Sequence, residues 1–440
     1  MTTLESLYEL YLRHPLVTTD SRDCPQGSIF FALKGDTFDG NLFAARALEQ
    51  GCAAAVVDNP EVAVDQRYMV VPSVLEALQQ LAALHRKRWG KTIIQITGTN
   101  GKTTTKELVS AVLSQSHHVL YTQGNLNNHI GVPRTLLRLT EDHDLAVVET
   151  GANHPGEIAF LCSLVHADYG LITNVGRAHL LGFGSFDGVK HTKGELYDDL
   201  SRRGGKIFLN ALDDDLREMA SSRGFQIGQQ AIPYVEARVE SCSPFLCIQW
   251  REDDDEPWHE VKTHLIGAYN IANLRAAITV GLHFGVTPSQ IDQALEAYQP
   301  TNNRSEFRQT EHNRLVVDAY NANPSSMEAA LTAFAFVEGS HKMAILGDMR
   351  ELGAESRKEH LRVLHQLQGM ELEDVWLVGS EFAQALTEKQ AESECAHTKY
   401  RTFENEKQVE DYLSAHPLSG HTILVKGSNG TGLFRLPALL

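Results

Sequence analysis

A chain of 440 residues is too long for one ordinary hydrophobic core, and domains of about 100 to 200 residues predict two to four of them, with three the natural division. Its apolar fraction of 42% and charged fraction of 22% are those of a globular protein, and no apolar run nears the roughly 18 residues that span a bilayer, which excludes membrane insertion. With 39 Lys and Arg against 56 Asp and Glu the net charge is −17, which opposes non-specific nucleic-acid binding and requires any anionic ligand to be gripped locally.

The N-terminal "MTTLESLYELYLRHPL" has acidic residues and no basic segment before an apolar stretch, unlike a secretory signal, so a cytoplasmic location is expected. The six cysteines are scattered without metal-type pairing and read as reduced packing thiols. From Thr18, "SIFFAL" predicts a buried strand, "NLFAARALEQG" a short helix closed by Gly51, and "AAAVVD" another strand, which together make a small α/β unit. The helical stretch "VLEALQQLAALHRKRWG", ending at Gly90, predicts its boundary.

The second region opens with strand "TIIQIT", then "GTNGKTTTK", then a helix from about Thr103 to Ser114. Gly101, Lys102 and Thr103 fit the end of G-x-x-x-x-G-K-[ST], but Ile96 stands where the first glycine belongs and a glycine appears at 98 instead. Strand, glycine turn and helix in that order still place backbone N–H groups and a helix N-terminus where a phosphate would sit. Lys102 can neutralise phosphate charge, Thr103 can offer a hydroxyl to Mg²⁺, and the glycines allow close approach. The alternative reading is a glycine turn with a solvated lysine.

"DLAVVET" and "YGLITN" predict further buried strands, and their alternation with helices argues for a doubly wound, mostly parallel sheet whose ligands gather at the strand carboxyl ends. Glu149 closes the first of these strands and is a candidate for the same metal ion, or simply a strand-end acid facing water. His179 and Lys193 follow in "NVGRAHLLGFGSFDGVKHTKGEL". The acidic run "REDDDEPWHE" lacks calcium-loop spacing and reads as a solvated turn between strands. A third region contains strand "RLVVDAY", a helix capped by Asn323 with Pro324 as its first residue, and strands "KMAILGD", "DVWLVGS" and "HTILVKGS", predicting a second, smaller α/β sheet domain.

The succession "TGTNGKTTTK", "GNLNNHIGVPRTLL", "ETGANHPGEI", "NVGRAHLLGFGS", "KGEL", "GAYNIANLRAA", "VVDAYNANPSSM" and "LGDMRELG" resembles the Mur ligases of peptidoglycan synthesis, from about Thr18 to about Ser428. The family's phosphate loop is the short G-x-x-G-K-[ST]-[ST], here Gly98, Gly101, Lys102, Thr103 and Thr104, which accounts for the unusual spacing. The resemblance implies three α/β domains: residues 1–85 for the UDP-linked substrate, 86–305 for ATP on a P-loop-type doubly wound sheet, and a Rossmann-like 306–440 that closes over the ATP and binds a dipeptide. "NLNNHIG" and "DAYNANPSSM" point within the family to the ligase that joins D-alanyl-D-alanine to UDP-N-acetylmuramoyl-tripeptide.

Carried over residue by residue, the resemblance implies that Gly98 to Thr104, including Thr99 and Asn100, hold the ATP phosphates, with Lys102 on the γ-phosphate. Thr103 and Glu149 would hold one Mg²⁺ and His179 a second. Lys193 would be the lysine this family carbamylates: a bare ammonium beside Mg²⁺ is repelled, whereas a carbamate brings two anionic oxygens. Lys190, three residues earlier, is the competing choice. Asn270 would meet the adenine, Arg304 and Asp318 the phosphate and ribose, and Asn321 and Asn323 the domain junction, although Asn323-Pro324 is also a sound helix start. Ser21 and Arg22 in "TDSR" would hold the uridine diphosphate, and Asn127 and Asn128 would line the sugar site. Arg350 reads as a surface arginine, with the dipeptide carboxylate as the alternative. A monomer is expected. The rival readings are a sister ligase adding a single amino acid, or a catalytically idle ATP-binding partner of cell-wall enzymes.

Overall fold

A computed structural model describes residues 1–178, 180–301, 303–392 and 398–440. Short, β-branched apolar runs form three separate parallel systems. Strands Val17–Thr18, Ile29–Phe31, Ala54–Val57 and Tyr68–Val70 lie side by side in a four-stranded parallel sheet. The predicted helix before Gly51 begins as a 3₁₀ turn, Gly40–Phe43, and continues as Ala44–Glu49.

Helix Val74–Trp89 starts at Ser73, whose side chain accepts from the Glu76 N–H, and stops at Gly90 in the left-handed region. Its apolar face packs with Leu7, Ile29 and Val56 on one side and with Val132, Leu136 and Leu161 on the other. The helix therefore sits in one continuous core shared by the first two regions, and residue 85 lies within it.

In the second region six parallel strands run in the order Ala231–Pro233, Lys206–Leu209, Tyr169–Ile172, Thr92–Thr97, Leu145–Glu149, Val119–Tyr121. Register pairs Ile96 with Glu149 and Thr97 with Ile172, so the ends of the three middle strands reach the same sheet edge. Helices Lys102–Leu113 and Ile271–His283 seal one face through Leu108, Val112, Leu274 and Ile278. A three-stranded antiparallel sheet, Glu236–Cys242, Leu246–Arg251 and His259–Lys262, carries the acidic run in its second connection. There Trp258 lies between the Arg238 and Arg251 guanidinium groups at 4.2 and 4.7 Å, an exposed turn pinned by cation–π contacts.

The third sheet has as many strands as the second, carried on a shorter stretch of chain. Its order is Glu306–Gln309, Arg314–Asp318, Thr422–Lys426, Lys342–Gly347, Asp374–Val378, Lys399–Phe403, parallel except for the first strand. Helix Pro324–Ala335 begins as predicted: the Asn323 side chain accepts from the Ser326 N–H, and proline takes a first-turn position that needs no donor. Among the described residues no helix is long and apolar enough to cross a membrane.

Candidate active site

The phosphate loop leaves strand Thr92–Thr97 with Gly98 at φ +143° and turns into the helix through Gly101 at φ +78°. A side chain at 98 would collide with Thr173 Oγ1, and one at 101 would meet Asn273, so both need glycine for space as well as torsion. The loop is held from the neighbouring strand end. Thr99 N–H donates to Asn174 O (3.0 Å), Asn100 N–H to Asn174 Oδ1 (3.1 Å), and Thr173 Oγ1 to Asn100 O (2.6 Å). Helix Lys102–Leu113 has no side-chain cap at Gly101 and no acid in its first turn. Its leading N–H groups and positive dipole end are thus left for an anion.

Lys102 Nζ folds back to donate to Gly98 O (2.8 Å) and Thr99 O (2.9 Å). Burial pulls its ammonium down to about 8, partly offset by the Glu149 carboxylate and reinforced by Arg304. Thr103 and Glu149 are buried, and Thr103 Oγ1 and Glu149 Oε2 have no hydrogen-bond partner. A hydroxyl and a carboxylate oxygen left over at the mouth of a phosphate loop are hard donors that suit Mg²⁺. Among the described residues no group of three His, Cys, Asp or Glu converges. A hydroxyl and a carboxylate oxygen would supply only part of a shell, which phosphate oxygens and water would complete, the ordinary arrangement for Mg²⁺. His179 lies outside the described residues.

Lys193 sits on helix Phe186–Arg203 at 2% exposure. Desolvation pulls its ammonium down to about 7, with further lowering by Lys102 and opposition from Glu157 and Glu195. Lys190, one helical turn away, instead pairs with Asp215 and keeps its charge. Glu195, quoted in the "KGEL" stretch but given no role, accepts from Gly156 N–H and Ala159 N–H, both at 2.8 Å. It fixes the start of helix Glu157–Val165 against the helix that bears Lys193.

One cavity of about 1230 Å³ runs from the loop residues Thr99, Asn100, Lys102 and Thr104 past Glu149 and Asn127 to Leu75, Glu76 and Gln79 of helix Val74–Trp89. In the other direction it reaches Asn270, Arg304, Asp318 and Asn321. Arg304 lies over the Tyr320 ring at 3.8 Å with Nε unpartnered. Asp318 is held by the buried Lys426 (2.6 Å), which also donates to Asn321 O. Asn270 is tied to Ile266 O and Asn273. Asn323 reaches the phosphate loop itself, with Nδ2 donating to Asn100 Oδ1 at 2.8 Å.

Ser21 and Arg22 do not line this cavity; Arg22 forks onto Asp20, whose carboxyl it holds down near 2. Asn127 and Asn128 both line it. Asn128 Oδ1 accepts from Ile130 and Gly131 N–H groups, and Asn127 Nδ2 donates to Glu149 Oε1 at 2.7 Å. Arg350 is exposed, donates to Gly430 O (2.6 Å), and lines a separate cavity of about 590 Å³ in the third region.

Sequence models of the Mur ligase family match in three consecutive blocks: the catalytic domain over residues 15–86, the middle domain over 96–281 and the glutamate ligase domain over 303–429. The UDP-N-acetylmuramoyl-tripeptide–D-alanyl-D-alanine ligase of Escherichia coli K12 is 35% identical over 431 residues, 95% of this chain and 91% of that protein. The chain belongs to the Mur ligase family. The enzyme of the same description from Bacillus subtilis is 35% identical over 77% of this chain and 74% of its own length. Among solved Mur ligases, MurF from Acinetobacter baumannii superposes with a TM-score of 0.82 at 33% identity, covering 96% of this chain and 92% of that one. MurF from Thermotoga maritima in complex with ADP has the same fold, with a TM-score of 0.82 at 24% identity and 97% of each chain covered.

The residues missed from sequence are those that brace the predicted site residues. Thr173 and Asn174 brace the phosphate loop, Lys426 braces Asp318, and Glu195 braces the approach to Lys193. Lys426 had a signal, a lysine closing the apolar strand "TILVK", since a charge at the end of a buried parallel strand needs a partner.

Proposed function

We propose that this Mur ligase joins D-alanyl-D-alanine to UDP-N-acetylmuramoyl-tripeptide at the expense of ATP, in the cytoplasmic assembly of a peptidoglycan precursor. The observation that carries this reading is the single cavity in which the loop at an uncapped helix N-terminus, Lys102, Glu149 with its unpartnered oxygen and a long polar cleft meet. The E. coli relative, 35% identical across nearly the whole chain, supports the choice of substrates.

A carboxylate resists attack by an amine because its charge and resonance oppose it. In the reaction proposed, an oxygen of the tripeptide's terminal carboxylate attacks the γ-phosphorus of ATP, giving an acyl phosphate and ADP. The D-Ala-D-Ala amine then attacks the acyl carbon, inorganic phosphate leaves with the C–O bonding pair, and the amine proton passes to solvent or base. Charge gathers on the transferring oxygens, and the Lys102 ammonium with the helix N-terminus supplies fixed positive potential there. Thr103 and Glu149 would hold Mg²⁺, which when bound neutralises phosphate charge and brings the two anions together. Lys193, held near neutrality by burial, is primed to take up CO₂ as a carbamate and to join that metal-binding set, with His179 as a further ligand for a second ion. Asn270, Arg304, Asp318 and Asn321 take the nucleoside end, and Ser21 and Arg22 the uridine diphosphate. The packed third region excludes water from the acyl phosphate. The protein acts as a monomer.

Phosphate release from ATP tests the reading. It is expected only when UDP-N-acetylmuramoyl-tripeptide and D-Ala-D-Ala are both present. Release with a UDP-linked dipeptide and a single amino acid, and none with D-Ala-D-Ala, would overturn it in favour of a sister ligase.

A further inference from the structure

We infer that Asn127 is a positioning residue for the metal-binding carboxylate of Glu149, and that its contribution is to cation binding rather than to holding the sugar of the UDP-linked substrate. The inference rests on the proposed metal–nucleotide reading of the cavity. It starts from an asymmetry in one buried side chain. Glu149 is 1% exposed; Oε1 accepts from Asn127 Nδ2 at 2.7 Å, while Oε2 has no partner at all.

The loop that carries Asn127 is built to hold that bond. Asn127 O accepts from Gly151 N–H at 2.8 Å, so Asn127 grips the chain on the far side of Glu149 by its backbone as well as its side chain. A side chain at Gly151 would press on the Asn127 carboxamide at 3.2 Å, and one at Gly131 would run into the Leu126 backbone. Asn128 Oδ1 fixes the following turn through Ile130 and Gly131 N–H groups. Glu149 N–H is taken by Thr122 Oγ1 at 2.9 Å, so backbone and one carboxylate oxygen are both immobilised.

The choice of a carboxamide follows from electrostatics. A lysine or arginine in its place would orient the carboxylate equally well but would neutralise it and compete with a cation. An amide N–H donates to one oxygen and leaves the full negative charge for the other. It also relieves part of the desolvation that a buried carboxylate with a single free oxygen would suffer.

The experiment measures the affinity of the protein for a non-hydrolysable ATP analogue by calorimetry, with and without Mg²⁺. The ratio of the two affinities reads the coupling between cation and nucleotide. Asn127→Leu is expected to shrink that ratio by about 10- to 100-fold, the usual cost of losing an outer-shell partner, while the Mg²⁺-free affinity stays at the parent value. Binding of UDP-N-acetylmuramoyl-tripeptide, measured without nucleotide or metal, is expected to be unchanged. Asn128→Ala is the contrasting variant: it loses a turn-fixing acceptor but keeps the Asn127 donor, so it melts at lower temperature while its ratio falls by much less than that of Asn127→Leu. Asn127→Ala provides a smaller change if the leucine variant does not fold. A parent-like ratio in the folded Asn127 variant overturns the inference, as does an equal loss of metal-free UDP-substrate binding. A parent protein with no Mg²⁺ effect on nucleotide affinity would overturn the underlying site reading as well, which separates the two failures.

Discussion

Asn323 Nδ2 donates to Asn100 Oδ1 at 2.8 Å, so the residue that starts a helix of the third region also touches the turn that would wrap the nucleotide phosphates. Asn100 answers with a longer contact from Nδ2 to Asn323 Oδ1 at 3.5 Å. The same Asn323 oxygen caps its own helix through Ser326 N–H.

The two duties of Asn323 are separable. Asn323→Asp keeps a good N-cap but loses the donor to Asn100, so thermal stability is expected near the parent while nucleotide affinity falls. Asn323→Ala loses both and is expected to cost about 1 kcal/mol of stability in addition. Melting curves and nucleotide titrations of the pair check this.

Lys102→Ala is expected to lower kcat by at least about 10²- to 10³-fold, the scale of losing one preorganised charge-stabilising donor. Its fold should survive, because Lys102 bonds only carbonyls of its own turn, at Gly98 and Thr99. Steady-state turnover and circular dichroism read the two effects; near-normal turnover would contradict the role given to this lysine.

Lys193 has a sign that can be worked out. Its folded value is lowered to about 7 from 10.5, so without CO₂ the folded state releases this proton while the unfolded chain still holds it. Stability should therefore rise with pH between about 7 and 10.5, with the full penalty of the buried ammonium present below that window. Lys193→Met is expected to flatten this segment of the stability profile in CO₂-free buffer. With ¹³C-bicarbonate, a carbamate resonance should grow as pH rises through 7 in the parent and be missing from Lys193→Met.

Lys426 is fully buried and reaches Asp318 at 2.6 Å. Lys426→Met leaves the carboxylate of Asp318 at the cavity wall without its counter-charge, and a loss of about 3 kcal/mol of stability is expected from breaking such a pair. Nucleotide affinity should fall with it. The double variant with Asp318→Asn is expected to recover part of the stability, which chemical denaturation would read.

Much of the fold was legible because its strands are short apolar runs ending in glycine or polar residues; Asn323-Pro324 starts a helix, and Gly90 ends one, where the residue types say they should. The edge strands of the third sheet were less legible, since Glu306–Gln309 and Lys399–Phe403 are polar and have no apolar period to mark them. At the site, the glycine turn and Lys102 announce themselves by local spacing. The bracing contacts from Thr173, Asn174 and Lys426 do not, because each joins residues over 70 positions apart that only the sheet brings together. Asn127 shows the same limit: its motif suggested a substrate contact, and only the register of strand Leu145–Glu149 reveals the carboxylate beside it.

The most direct test of acyl activation uses UDP-N-acetylmuramoyl-tripeptide labelled with ¹⁸O in its terminal carboxylate, turned over with ATP and D-Ala-D-Ala. Mass analysis of the released inorganic phosphate is expected to find one ¹⁸O carried over from the carboxylate in each labelled turnover. Product formed with phosphate that contains no ¹⁸O would contradict phosphoryl transfer to the acid and the reaction built on it.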